Sequence, residues 1–180
     1  TTDQRKAGIE WYPRFQADIM REAWKVGFKV DSGRKMKMLC GIVAAFSPQR
    51  NPAHNLHIMR SFLHGKPYTS RGIYHTGTQD RKAVRIRDGE CPLSVLTGPK
   101  ERSFYSNILG SRHEVTIDSH AFNIWKGEYI RTDLSNVPRS AKVLQDCKDD
   151  YVKASEIMGV LPAECQAIAW IVWRSMHQSK

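Results

Sequence analysis

Apolar side chains in this chain recur at three- to four-residue spacing, and no alternating apolar/polar stretch runs beyond four residues. The first spacing lays a stripe along a helix and the second builds a half-buried strand. The sequence therefore predicts an all-α fold. In "PRFQADIMREAWKVGF", Phe15, Ile19, Ala23, Trp24 and Val26 to Phe28 follow the helical period, with Pro13 suited to a first turn. "GRKMKMLCGIVAAFSP" has a basic head and a nearly continuous apolar body from Met38 to Phe46, stopped by Pro48, which predicts a buried helix. "PAHNLHIMRSFLHG" repeats Leu56, Met59 and Leu63 and ends on Gly65, a C-terminal signal.

"KPYTSRGIYHTG" has no period and predicts a loop, and "TQDRKAVRIRDG" predicts a short basic helix ending at Gly89. After a second irregular connection, "KGEYIRTDLSNVPRS", two long helical patterns flank "VLP". The last of them, with Ile168, Ile171, Val172, Trp170 and Trp173, is apolar on most faces and is expected to run through the core. No repeat of 20 to 50 residues is present.

At 180 residues the chain is long enough to bury about two-thirds of its unfolded surface, so one domain over 1–180 is expected. No apolar run approaches the roughly 18 residues of a membrane span, and "TTDQRKAGIEW" lacks the apolar core of a signal peptide. A cytoplasmic protein with no membrane partner is the expectation. Cys40, Cys91, Cys147 and Cys165 are scattered without paired spacing, which predicts no disulfide, no metal and no cofactor cluster. His54, His57 and His64 cover a helix face imperfectly and no acidic residue recurs at ligand spacing, so they predict no metal site either.

Charge is more informative. The 28 basic and 18 acidic residues give +10 and a pI of about 9.6, in the range of nucleic-acid binders. The alternative is charge that serves solubility alone. Arg81, Lys82, Arg85 and Arg87 in "DRKAVRIR" are candidate contacts to a DNA backbone, or else a solvated helix face.

The stretch "GPKERSFYSNILGSRHEVTIDSHAFNIW" (98–125) can be read in two ways. As ordinary architecture, one helix ends near Leu96, Gly98 and Pro99 turn the chain, and "ERSFYSNIL" restarts it. "VTI" is then extended, and Asp118 caps a further helix through its carboxylate. As a site, Lys100 lies on a helix N-terminus, where the macrodipole disfavours a cation, so a nearby anion is required: a phosphate, a carboxylate, or Asp118.

The order of Gly-containing turn, Lys, apolar helix and "VTIDSHAFNIW" resembles the helix-hairpin-helix DNA glycosylase superfamily of the endonuclease III type, with its Leu-Pro-Gly-Val-Gly-x-Lys and Val-Asp-Thr-His-Val segments. Asp118 falls on the family's catalytic Asp, His120 on its His, and Lys100 on the Lys that is a nucleophile in bifunctional members, 18 residues before Asp118. "GIVAAFSPQRNPAHN" is similar to the family's Leu-Ser-x-Gln segment, so Gln49, with Arg50 beside it, falls where a side chain fills the gap left by an extruded base. The resemblance covers about residues 38 to 127. It departs in the hairpin, which has a single Gly, Gly98, and a Pro, and in lacking the four-Cys cluster.

The resemblance implies a two-lobed helical body, a monomer acting on double-stranded DNA, and cleavage of a glycosidic bond with Asp118 catalytic and His120 supporting. Phe46, Tyr105 and Trp125 are candidates for the wall on which the base stacks, although each stands at an apolar helical position that suits the core better. Two alternatives share this fold. One is a phage-type transferase that adds an amine to activated hydroxymethyluracil in DNA, placed in the host cytoplasm if phage-encoded. The other is a DNA-binding protein without chemistry.

Overall fold

The computed structural model describes residues 1–48, 51–66, 68, 77–128, 137 and 140–177. Every regular element among them is an α-helix. The helices are α1 (Thr2–Ile9), α2 (Trp11–Trp24), α3 (Gly33–Ala45), α4 (Pro52–Leu63), α5 (Thr78–Arg87), α6 (Pro92–Val95), α7 (Pro99–Leu109), α8 (Ser119–Lys126), α9 (Ala141–Met158) and α10 (Pro162–His177). The all-α expectation holds. The chain divides into two compact units, Pro13–Leu109 and a discontinuous one made of Thr1–Tyr12 with Gly110–Lys180.

In the Pro13–Leu109 unit, α3 is the central element. Leu39, Cys40 and Ile42 to Phe46 have no exposed surface, as the unbroken apolar run predicts. Each such large side chain contributes about 1.5–3 kcal/mol on burial. Close packing depends on Gly41, where a Cβ would lie 2.9 Å from Pro92 and 3.1 Å from Ile86. Cys40 is buried deeply enough that its thiol is pushed up to about 12, so it behaves as a small hydrophobe. Asn55 of α4 donates its amide to the Val43 carbonyl at 3.0 Å, tying α4 to the end of α3.

On α2 the buried stripe is Phe15, Ile19 and Ala23, at four-residue spacing. Trp24 departs from the expected apolar face. One residue past Ala23 is about 100° round the helix, which turns the indole off the stripe and leaves it 69% exposed.

In the other unit, α1 crosses α10 at a distance that only glycine permits. A Cβ on Gly8 would stand 2.6 Å from the Ile168 Cα. Helix α1 is absent from the apolar period because it is short and polar. It begins with a capping box, the Thr1 hydroxyl accepting from the Gln4 amide. Helix α9 stops at Gly159, whose φ of 61° is left-handed and free of strain only for glycine. The first half of α10 is core, with Ala163, Cys165, Ala167 and Ile168 buried, whereas Trp170, Ile171, Val172 and Trp173 are only half-buried. The expectation that all of α10 runs through the core is thus corrected: its second half lies at the margin.

Two helices start with the same device. Pro99 and Pro162 occupy first helical positions, and two residues on Glu101 and Glu164 reach back to accept the backbone N–H of Gly98 at 3.3 Å and of Leu161 at 3.0 Å. Each carboxylate thereby satisfies an orphan amide and lies on the positive end of the helix dipole.

Candidate functional site

Asp118 is held by its approach and by its helix. Val115, Thr116 and Ile117 are buried and form no strand. Gln166 of α10 substitutes for a neighbouring strand: its Oε1 accepts from the Thr116 amide at 3.0 Å and its Nε2 donates to the Thr116 carbonyl at 2.6 Å. The clamp leads straight into Asp118, the N-cap of α8, whose Oδ1 accepts from the Ala121 amide at 2.9 Å. Among the described residues Oδ2 accepts no hydrogen bond, and the side chain is half-buried. Tyr151 packs below, donating its hydroxyl to the Ala121 carbonyl at 3.1 Å. Burial, and then the nearby Cys147 and Asp118, push the Tyr151 hydroxyl well above its ordinary range, so it stays protonated. The result is a carboxylate fixed at one oxygen and open at the other.

His120 is in the first turn of α8, its ring edge-on to Trp170 with centroids 6.5 Å apart. This contact supports α8 against α10. Trp125, at the far end of α8, donates its indole N–H to Asp150 at 3.0 Å and packs on the cluster formed by Val115, Ile117, Cys147 and Tyr151.

Lys100 belongs to the other unit. It is the second residue of α7 and half-buried, and among the described residues it has no hydrogen-bond or ion-pair partner. The anion expected at that N-terminus is Glu101, its sequence neighbour. Glu101 is 8% exposed and receives Lys82 Nζ at 2.6 and 2.8 Å while it holds the Gly98 amide. Gly98 and Lys82, two candidate DNA contacts, are therefore both engaged by this carboxylate. Lys82 is corrected from a free phosphate ligand to the cation of a largely buried pair linking α5 to α7.

Arg85 is exposed and paired with Glu90 at 2.6 Å, and Arg81 is exposed on the same helix. Exposed pairs are worth under about 1 kcal/mol. Phe46 is corrected from wall to core, since it has no exposed surface and lies between Phe62 and Tyr68 at 5.6 and 5.5 Å. Tyr105 is 4% exposed, and burial pushes its hydroxyl up to about 12. Neither offers a free face to a base. Gln49 and Arg50 lie outside the described residues. No group of three metal-ligating side chains occurs among the described residues, and none of their helices is long and apolar enough to cross a membrane.

Sequence reasoning missed two features. Tyr68 is buried beside Phe46 and hydrogen-bonds Asp80 in the first turn of α5. Burial first, and that carboxylate second, raise its hydroxyl far above the ordinary range. The second is the distribution of charge. Residues 13–109 hold 17 of the 28 basic and 7 of the 18 acidic residues, a net of +10, and the other unit holds 11 of each, a net of zero. The discontinuity of the neutral unit, whose first 12 residues are separated in sequence from the rest, hides this from a linear reading.

Residues 1–177 match the model of a family of unknown function (DUF7178). The chain belongs to DUF7178. No curated protein and no solved structure matches it. The match spans both units of this DUF7178 chain, so the Asp118 cap and the basic unit fall within one family unit.

Proposed function

We propose that this protein is an enzyme that acts on a base extruded from double-stranded DNA, with Asp118 as its central carboxylate and a helical body of the helix-hairpin-helix glycosylase type. The observation that carries the reading is the Asp118 carboxylate itself, fixed by the Ala121 amide at one oxygen and open at the other. Further support comes from the short helix α6, the turn at Gly98 and Lys100 in the first turn of α7, the order that the resemblance calls for. The net charge of +10 suits a polyanionic substrate.

In that chemistry the bond between the sugar carbon and the base nitrogen breaks and its electron pair leaves with the base. Positive character develops on the sugar, and a fixed carboxylate stabilises it. Water then adds to the sugar carbon, and the base takes up a proton. Asp118 is preorganised for this task, since its N-cap bond holds the side chain in one orientation through the reaction.

The test is incubation of the purified protein with duplexes carrying uracil, alkylated purines, oxidised bases or hydroxymethyluracil, followed by mass analysis of the nucleosides. Free base supports the proposal. A nucleoside of higher mass replaces it with base-modifying transfer, and unchanged DNA retained by the protein replaces it with binding alone.

A further inference from the structure

We infer that the Pro13–Leu109 unit carries a nucleic-acid-binding face centred on Trp24, on which a base from a locally unpaired stretch of DNA stacks. This rests on the DNA reading above and goes beyond it, because that reading makes no use of Trp24, a residue of the Pro13–Leu109 unit. Three observations converge. The unit holds the whole net charge of the chain. Trp24 is its only tryptophan, and among the described residues of this unit it is the large apolar side chain most open to solvent, at 69%. Near it in sequence the cations are more open than the anions they pair with: Arg21 and Lys25 have side chains 60% and 47% exposed against 34% and 13% for Asp18 and Glu22, and Lys29 follows, exposed and without a partner among the described residues.

Met20, one helical turn before Trp24, is also exposed and extends the apolar platform along the same face of α2. An exposed indole on a helix that also carries exposed cations matches an unstacked base joined to phosphates: the base covers the apolar ring and the phosphates meet the charges. Arg21 and Lys25 are paired with Asp18 and Glu22 within their own helix. The Arg21–Asp18 pair lies at the surface and is worth under about 1 kcal/mol, so Arg21 is open to a phosphate, whereas Lys25 stays with the largely buried Glu22. A base-free polyanion would use the charges and leave Trp24 idle. The indole therefore selects nucleic acid.

The experiment is fluorescence anisotropy on the full chain with a labelled single-stranded oligonucleotide, with the same sequence as a duplex, and with heparin. Trp24→Ala is expected to weaken the single strand by about tenfold, the loss of one base–aromatic stack, while heparin binding is unchanged. Trp24→Phe is expected to restore most of the affinity. Lys29→Glu with Arg21→Glu should flatten the salt dependence by about 0.7 in log–log slope for each of the two cations that meets a phosphate. Lys6→Glu with Lys142→Glu, in the neutral unit, should leave it as it was. Circular dichroism checks that each variant folds. Single-strand affinity unchanged by Trp24→Ala, equal losses on heparin, or a salt slope governed by Lys6 and Lys142 would overturn the inference. The two proposals fail separately. Base release together with a silent Trp24 rejects only this one, whereas Trp24-dependent binding with no altered nucleoside rejects only the enzymatic reading.

Discussion

Lys82 Nζ lies 2.6 Å from Glu101 Oε2, and both side chains are more than four-fifths buried. Glu101 also accepts from the Gly98 amide, so one carboxylate closes the turn, caps α7 and binds α5. Glu101→Ala is expected to cost about 2–3 kcal/mol, because it opens the cap and leaves a buried ammonium without its partner. Lys82→Ala should cost a similar amount, and the double variant should cost clearly less than the two together, since both remove one shared interaction. Denaturant melts of the four proteins check this. Additive losses would mean that the pair is not the unit of stability it is taken to be.

Glu22 joins α2 to α4, accepting from Lys25 at 2.5 Å and from Arg60 at 2.9 Å. The hydrogen bond from Lys25 is the largest cause holding its carboxyl below the ordinary 4.5, with the Lys25 and Arg60 charges adding to it against the opposing effect of burial. A carboxyl with a depressed folded value binds fewer protons folded than unfolded. Its contribution is therefore complete above pH 4.5 and is lost as pH falls through the depressed value. Urea midpoints measured from pH 7 downward should show wild type more stable than Glu22→Gln at neutral pH. Below the ordinary carboxyl range the two curves should converge. A constant gap at every pH would remove the ion pair from the account.

Asp118 combines a structural and a proposed chemical role, and two substitutions separate them. Asn retains an oxygen that can accept from the Ala121 amide, so Asp118→Asn should change stability by only a few tenths of a kcal/mol. Asp118→Ala removes the cap and should cost about 1 kcal/mol. Both should remove most turnover while DNA affinity persists, because charge is lost only where the sugar becomes positive. Turnover by Asp118→Asn near that of wild type would leave Asp118 a cap and nothing more.

Much of the helical architecture was legible in the sequence because it rests on local signals. The unbroken run from Met38 to Phe46 became the core of α3, and Asp118 became the N-cap that its sequence position indicates. What escaped depends on partners distant in sequence. Helix α1 is held by the approach of Gly8 to Ile168, 160 residues away, and its own apolar content is too small to reveal it. Trp24 fits the period yet faces solvent, since the stripe is already filled by Phe15, Ile19 and Ala23. The carboxylate at the N-terminus of α7 is Glu101, the residue after Lys100, and it holds the Gly98 amide and Lys82. The pattern Pro-x-Glu at 99–101, repeated at 162–164, was the available signal.

Lys100 is where the chemical alternatives differ most. Glu101 already supplies the negative charge that the N-terminus of α7 calls for, so Lys100 has no structural obligation to that helix end. A nucleophilic role requires a neutral amine at the sugar carbon, followed by a Schiff base as the base departs. Borohydride would then trap a covalent protein–DNA adduct, lost in Lys100→Ala, and the DNA would be nicked. A role in binding phosphate requires only charge. The hairpin that presents this Lys has Pro99 and one glycine where bifunctional glycosylases have two glycines, and its turn is closed by the Glu101 carboxylate. That altered turn favours the binding role. The expected outcome is no trapped adduct, Lys100→Arg close to wild type because the charge survives, and Lys100→Ala weaker on DNA by several-fold. A wild-type adduct that disappears on changing Lys100 alone would assign it the nucleophile's part instead.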